Sequence, residues 1–435
     1  MNEKSLRIII LEKILRFMSR LILVKYKPKI IGITGSIGKT STKEAVFCVL
    51  SPHFSVRKNN KNYNNEIGLP LTIIGAESGG RSIFKWIIIF LRWLGYVILP
   101  FRYPKVLILE MGADRIGDIK YLLSFVHPQI GVITEISGSH LEFFKNLEGV
   151  TKEKGTLVQE LTENELAVLN ADNKYVLGLK DKLKSRVVTF GFSREADVQA
   201  ESPVFSYDDN GHIQGISFKL SYDGTTLPVR LNNILARHQI YAVLSAVAIG
   251  VELGMNLVDA TQAIGCFSSP KSRMNLIPGI KNSFLIDDSY NASPTSTQAA
   301  LDTMGEIEAK RRIIVLGDML ELGEETEEGH VKIAQRFLEI KGDIFIAVGT
   351  RMQFAVSELM KNNFNESNIF SCSNSIEAGK KLQEIIDDGD LVLIKGSQGA
   401  RMEKVVEEVM AEPTKASELL CRQEAKWKKI PVRDL

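Results

Sequence analysis

The sequence predicts an α/β protein of two successive sheet domains: a P-loop, ATPase-like central domain with a mostly parallel sheet plus an antiparallel excursion, then a Rossmann-like C-terminal domain. Three observations predict it. A β-branched run at 29–34 leads directly into a glycine loop and a helix-favouring stretch. Apolar runs at 106–110, 130–134 and 166–170 each end in polar residues, the pattern of an open sheet that gathers its ligands at strand carboxyl ends. From 269 the pattern resets to strands at 284–288, 312–318, 344–349, 368–372 and 391–395 separated by helical stretches.

The size and composition agree. A chain of 435 residues exceeds what one hydrophobic core supports. Hydrophobic residues at 44% and charged residues at 24% describe a folded chain and exclude a disordered or multi-span membrane protein. With 54 basic against 52 acidic residues, no global field favours nucleic acid as a partner. Cys48, Cys266, Cys372 and Cys421 are scattered without a CxxC pair, which argues against a disulfide framework or a structural zinc and points to a reducing, cytoplasmic setting.

Taken in chain order, residues 6–26 carry Arg7, Glu12, Lys13, Arg16 and Arg20 among Ile and Leu, and read as a basic amphipathic helix rather than a span or a signal peptide. A second apolar stretch at 83–101 is interrupted by Lys85 and Arg92 and closed by Pro100. Three readings of these segments stay open: packing on the protein, peripheral contact with the inner face of the cell membrane, or spanning it.

The glycine loop is the sharpest motif. Gly35, Ser36, Gly38, Lys39, Thr40 and Ser41 form a TGxxGKTS variant, with Ile33 where the strict Walker spacing has glycine. Such a loop turns backbone N–H groups toward phosphate oxygens, the helix start adds partial positive charge, Lys39 reaches terminal phosphates and Thr40 can hold Mg²⁺. A glycine turn without phosphate is the structural alternative. Glu110 ends the strand at 106–110, where a carboxylate can bind a cation; alone, His140 reads as a surface or capping histidine. Between 187 and 231, alternating runs broken by Asp-Asn-Gly and Asp-Gly turns predict the antiparallel excursion.

At this point an ordered series of segments resembles a known family. The loop GITGSIGKTST, Asn64-Asn65-Glu66, Glu110, His140 with Glu142, Asn170 with Asn173, Asp287 through Pro294, Asp318, His330 and Lys395-Gly-Ser397 are together similar to the Mur ligases, and within them to the MurF type, over about 28–410. The resemblance implies an ATP-dependent amide ligase that phosphorylates a carboxylate and then lets an amine attack the acyl phosphate. The implied substrates are a UDP-sugar peptide and D-alanyl-D-alanine. Thr40 and Glu110 are expected to hold one Mg²⁺, and His140 with a carbamylated Lys154 a second; in the alternative, Lys152 and Lys154 are simply solvated. The resemblance also assigns ATP to the glycine loop with Gln239, Arg273, Asp288, Tyr290 and Asn291, and substrate to Asn64, Asn65, His330, Lys395 and Ser397. Gln239 and Ala242 stand where the family has asparagines. Asp288, Asn291 and Asp318 could instead cap helices or turns.

The expected organisation is a helix at 1–27, an ATP-binding domain at 28–268 with the hydrophobic insert 83–101, a ligase domain at 269–412, and a polar tail at 413–435. The family's separate N-terminal UDP-sugar domain is expected to be lacking, because only about 28 residues precede the phosphate loop. A ligase on another peptide or a lipid-linked substrate, and a membrane-associated nucleotide-binding scaffold without turnover, are the alternatives. Lys39, Thr40, Glu110, His140 and Lys154 together argue against the scaffold.

Overall fold

A computed structural model describes residues 6–60, 63–80, 82–137, 144 and 146–434. It divides into two compact units, Met1–Ser202 with Phe218–Val229 and His238–Phe267, and Pro203–Ser217 with Arg230–Arg237 and Ser268–Leu435.

Among the described residues the first sheet has nine strands: β1 (Lys29–Thr34), β2 (Val56–Lys58), β3 (Val106–Glu110), β4 (Ile130–Ile133), β5 (Leu166–Asn170), β6 (Arg186–Gly191), β7 (Val198–Tyr207), β8 (Ile213–Tyr222) and β9 (Thr225–Asn232), in the spatial order β2-β3-β1-β4-β5-β6-β7-β8-β9. After β1 the chain builds β2 and β3 on one side and then crosses to β4 on the other. That reversal opens a crevice at the carboxyl end of β1, where α/β sheets bind ligands. Its register is fixed by parallel pairing of Ile33 with Glu110 and of Thr34 with Ile133. The predicted antiparallel excursion begins later than expected, because β6 pairs in parallel with β5 through Val187–Ala167 and its neighbours. Alternation reveals a half-buried strand but not the direction of its partner.

Helix α1 (Leu6–Tyr26) and helix α4 (Ile83–Ile98) pack beside α3 (Gly68–Ile74) and share its apolar core with Leu107 and Leu109 of β3. Among the described residues no helix is long and apolar enough to cross a membrane. The other side of β1 is covered by α2 (Lys39–Leu50), which packs on a later helix of the unit, His238–Glu252. Cys48 and Cys266, 218 residues apart, pair as a disulfide, which corrects the expectation that the scattered cysteines stay unpaired: sequence distance does not report spatial distance.

The second unit holds a six-stranded sheet made of β10 (Asn275–Pro278), β11 (Phe284–Asp288), β12 (Arg311–Gly317), β13 (Ile344–Val348), β14 (Ile369–Cys372) and β15 (Asp390–Lys395), ordered β10-β11-β15-β12-β13-β14. Successive residues of β12 and β15 point into different cores: Ile314, Leu316, Leu391 and Leu393 into one, Ile313, Val315, Val392 and Ile394 into the other. A parallel sheet buried on both faces has this continuous apolar pattern. The segment read as a polar tail packs onto this unit, with Leu420 and Cys421 buried and Arg422 donating to the carbonyls of Ser289 and Tyr290.

Candidate active site

The phosphate loop is pinned to the end of β4. Ser36 N–H donates to the Glu135 carbonyl at 2.7 Å, and Ser36 Oγ bridges to Ser137. Gly35 and Gly38 adopt φ of 150° and 85°, and a Cβ on Gly35 would stand 2.0 Å from Thr134 Oγ1. Only glycine fits both the torsion and the space. Lys39 Nζ donates to the Gly35 and Ser36 carbonyls at 2.6 and 3.2 Å, so its ammonium lies over the loop at the start of α2. The start of α2 and the Lys39 ammonium thus lie together at the loop, an arrangement suited to binding an anion.

Glu110 is buried behind this loop. Its Oε2 accepts from Thr40 Oγ1 at 3.1 Å and pairs with Lys43 Nζ at 3.3 Å, while Oε1 accepts from Asn64 Nδ2 at 3.3 Å. Asn59 holds the same residue through its backbone, accepting from Glu110 N–H at 2.9 Å and donating to its carbonyl at 3.3 Å. Sequence reading missed Lys43 and Asn59; the available signal was Lys43 one helical turn after Lys39, on the same face. The Thr40 hydroxyl and the Glu110 carboxylate form a hard oxygen pair that fits Mg²⁺, an ion normally completed by water and phosphate oxygens rather than by a full protein cage. Among the described residues, no group of three or more His, Cys, Asp or Glu could hold a metal ion. Asn65, expected at substrate, accepts from the Gly68 and Ile67 N–H groups at the start of α3 and so acts as a cap.

Lys154 lies on α5 (Leu147–Gln159) and is 2% exposed, which sets aside the solvated alternative for it, whereas Lys152 is exposed. Burial, joined by the charge of Lys39 and opposed by Asp114 and Glu153, lowers its pKa to about 8. Glu153 is occupied in accepting from Gly117 and Ile119 N–H at 2.8 Å each. His140 and Glu142 lie outside the described residues. Asn170 and Asn173 donate to the Thr134 and Ile136 carbonyls at 2.8 and 3.0 Å, tying β5 to the loop after β4. Gln239 is buried beside His238, and on the same helix Tyr241 donates to Asp172 at 2.9 Å.

In the second unit, Lys395 Nζ donates to Asp288 Oδ2 at 2.5 Å and to the Asn291 carbonyl at 2.9 Å. The Arg273 guanidinium stacks 4.4 Å from the Tyr290 ring centroid. Ser397 Oγ accepts from Leu320 N–H at 2.8 Å, and its own N–H donates to the Asp318 carbonyl at 3.1 Å. Asp318 also accepts from Met352 N–H at 2.9 Å, and burial raises its pKa. His330 departs from its expected substrate role. Its Nε2 accepts from Met319 N–H at 3.2 Å, its Nδ1 donates to the Thr326 carbonyl at 2.6 Å, and the ring is fully buried and held neutral by desolvation. Both ring nitrogens are committed to backbone, so the imidazole positions the Asp318–Leu320 turn.

Models of the Mur ligase middle domain and of the Mur ligase glutamate ligase domain match residues 99–250 and 272–398. The UDP-N-acetylmuramoyl-tripeptide--D-alanyl-D-alanine ligase of Bacillus subtilis is 27% identical over 386 residues, covering 88% of this chain and 76% of its own. The ligase of the same name from Escherichia coli is 29% identical, covering 87% and 76%. A solved structure of MurF from Thermotoga maritima in complex with ADP superposes with a TM-score of 0.71 at 23% identity, covering 94% of this chain and 84% of its own, a likeness of fold. The two domain models, matched in order along residues 99–250 and 272–398, place this chain in the Mur ligase family.

Proposed function

We propose that this protein is an ATP-dependent ligase of the MurF type, adding D-alanyl-D-alanine to UDP-N-acetylmuramoyl-tripeptide in the cytoplasm during peptidoglycan precursor synthesis. The reading is carried by Lys39 and the Glu110-held Thr40 on one phosphate loop, in a chain aligned over 88% of its length with a ligase of that name. A terminal carboxylate oxygen of the tripeptide attacks the γ-phosphorus of ATP, ADP leaves, and the dipeptide amine then displaces phosphate from the acyl phosphate. Two anions must meet in the first step, and Lys39 with the loop N–H groups offsets that repulsion. Thr40 and Glu110 would hold Mg²⁺, which supplies further neutralisation of phosphate charge.

Lys154 suits carbamylation. A neutral Nζ attacks CO₂ and releases one proton to give a carbamate, and a buried amine with a pKa near 8 supplies the neutral form. In this reading the carbamate and His140 serve a second cation. Arg273, Asp288, Tyr290 and Asn291 would attend the nucleotide, Asn64 the tripeptide, and Lys395 and Ser397 the dipeptide. The enzyme would work at the inner face of the cell membrane, with residues 6–26 and 83–101 as its contact; their apolar surface also favours a second reading, a lipid-linked acceptor. The test is product mass from ATP, Mg²⁺, UDP-N-acetylmuramoyl-tripeptide and D-alanyl-D-alanine. A pentapeptide product absent in Lys39→Ala supports the reading; ATP binding without product with any of these substrates overturns the named reaction.

A further inference from the structure

Helices α1 and α4 are each buried along one stripe and apolar along another that faces solvent. On α1, Leu15, Met18 and Ile22 are buried, while Ile10, Ile14, Phe17, Leu21 and Val24 are 36–70% exposed at the same three-and-four spacing. On α4, Ile89, Trp93 and Tyr96 are buried, while Ile83, Phe84, Ile87, Ile88, Leu91 and Ile98 are 50–78% exposed. A helix of a water-facing domain normally turns polar residues outward. The two exposed faces adjoin, since Ile14 and Phe90 line one apolar cleft of about 190 Å³. The pair is locked together: Trp93 Nε1 donates to the Met18 carbonyl at 3.0 Å, and Lys25 Nζ donates to the Tyr96 and Leu99 carbonyls at 2.8 and 2.7 Å, capping the end of α4. The two helices thus present adjoining exposed apolar stripes and are bonded to each other.

Its charge identifies what covers it. Glu12 is the only acidic residue of α1 and is 8% exposed, and the sequence from 78 to 109 contains no Asp or Glu. Lys13, Arg20, Lys27, Lys85 and Arg92 are all exposed. Arg20, Lys27 and Lys29 also line an open cavity of about 570 Å³ whose wall, among the described residues, carries no Asp or Glu. A second copy of this face would bring cations against cations. At 16 residues α4 is about 24 Å long, short of a hydrocarbon core of about 30 Å, so it lies along a bilayer rather than across it.

We infer that the α1–α4 face docks flat on an anionic phospholipid surface, its apolar stripe entering the headgroup boundary and its cations meeting lipid phosphates. This deepens the membrane contact named above and is independent of whether the ligase reading holds. The test is cosedimentation of the full chain with phosphatidylcholine vesicles and with phosphatidylcholine–phosphatidylglycerol vesicles. Binding is expected only to the anionic vesicles and should fall with salt. Exchanging Arg20 and Lys27 for Gln should weaken it about fivefold per charge, and Phe84→Ser with Ile87→Ser and Leu91→Ser by a hundredfold or more. ATP binding should be unchanged in every variant, because none of these residues touches the phosphate loop. Equal sedimentation with and without anionic lipid, or a concentration-dependent dimer in place of vesicle binding, overturns the inference. Loss of catalysis with vesicle binding intact would instead count against the ligase reading alone.

Discussion

Lys154 supports the most quantitative prediction. Lowering its pKa from 10.5 to about 8 corresponds to a cost of about 3 kcal/mol for holding the charged amine in the fold. The folded protein therefore binds this proton more weakly than the unfolded chain. The cost is present in full below about pH 8 and is relieved as pH rises toward 10.5, so this residue's contribution to stability improves across that window. At pH 7.5 about a quarter of the molecules carry the neutral amine, against about one in a thousand for an exposed lysine. In CO₂-free buffer, Lys154→Met should be more stable than the natural protein by about 1–3 kcal/mol at pH 7, with the gap closing by pH 10.5. Urea unfolding of the two proteins at several pH values measures this difference. Bicarbonate should then raise the midpoint of the natural protein alone and produce one ¹³C carbamate signal per chain. Parallel pH profiles for the two proteins, together with no carbamate signal, would show that Lys154 is neither destabilised by burial nor carbamylated.

Other predictions follow from single contacts. Gly35→Ala places a methyl group against Thr134 Oγ1, so ATP affinity, read by nucleotide titration, should fall at least tenfold while far-UV circular dichroism is preserved. Glu110→Gln leaves the buried Lys43 with only the part-exposed Glu44 carboxylate at 3.7 Å and should cost roughly 2 kcal/mol in denaturant unfolding; Lys43→Met added to it should restore part of that loss. Asp287 is fully buried and its pKa is pushed up to about 6, because burial outweighs its bonds to Ser272 and Ser289. The fold thus favours the protonated form, stability should decline as pH rises from about 4 through 6, and Asp287→Asn should flatten that slope in pH-dependent thermal unfolding.

The site was legible where one residue type does one job at one chain position. Glycine, lysine and threonine after a β-branched strand announce a phosphate loop, and an apolar run ending in Glu110 announces a carboxylate at the carboxyl end of a strand. What stayed hidden depends on register and on side-chain direction. Lys43 finds Glu110 because β1 and β3 pair in parallel with Ile33 beside Glu110, a fact that neither segment carries alone. His330 follows the family's order, yet its ring turns inward to backbone. The apolar character of 83–101 was plain, but its division into a buried stripe and a bare one required knowing what α4 packs against.

In the proposed reaction, ATP activates a carboxylate as an acyl phosphate before the amide forms. Tripeptide substrate labelled with ¹⁸O in its terminal carboxylate tests this most directly, by mass analysis of the released phosphate. One ¹⁸O should pass to phosphate for each amide made, with none released in Lys39→Ala. Amide formation accompanied by unlabelled phosphate would contradict it.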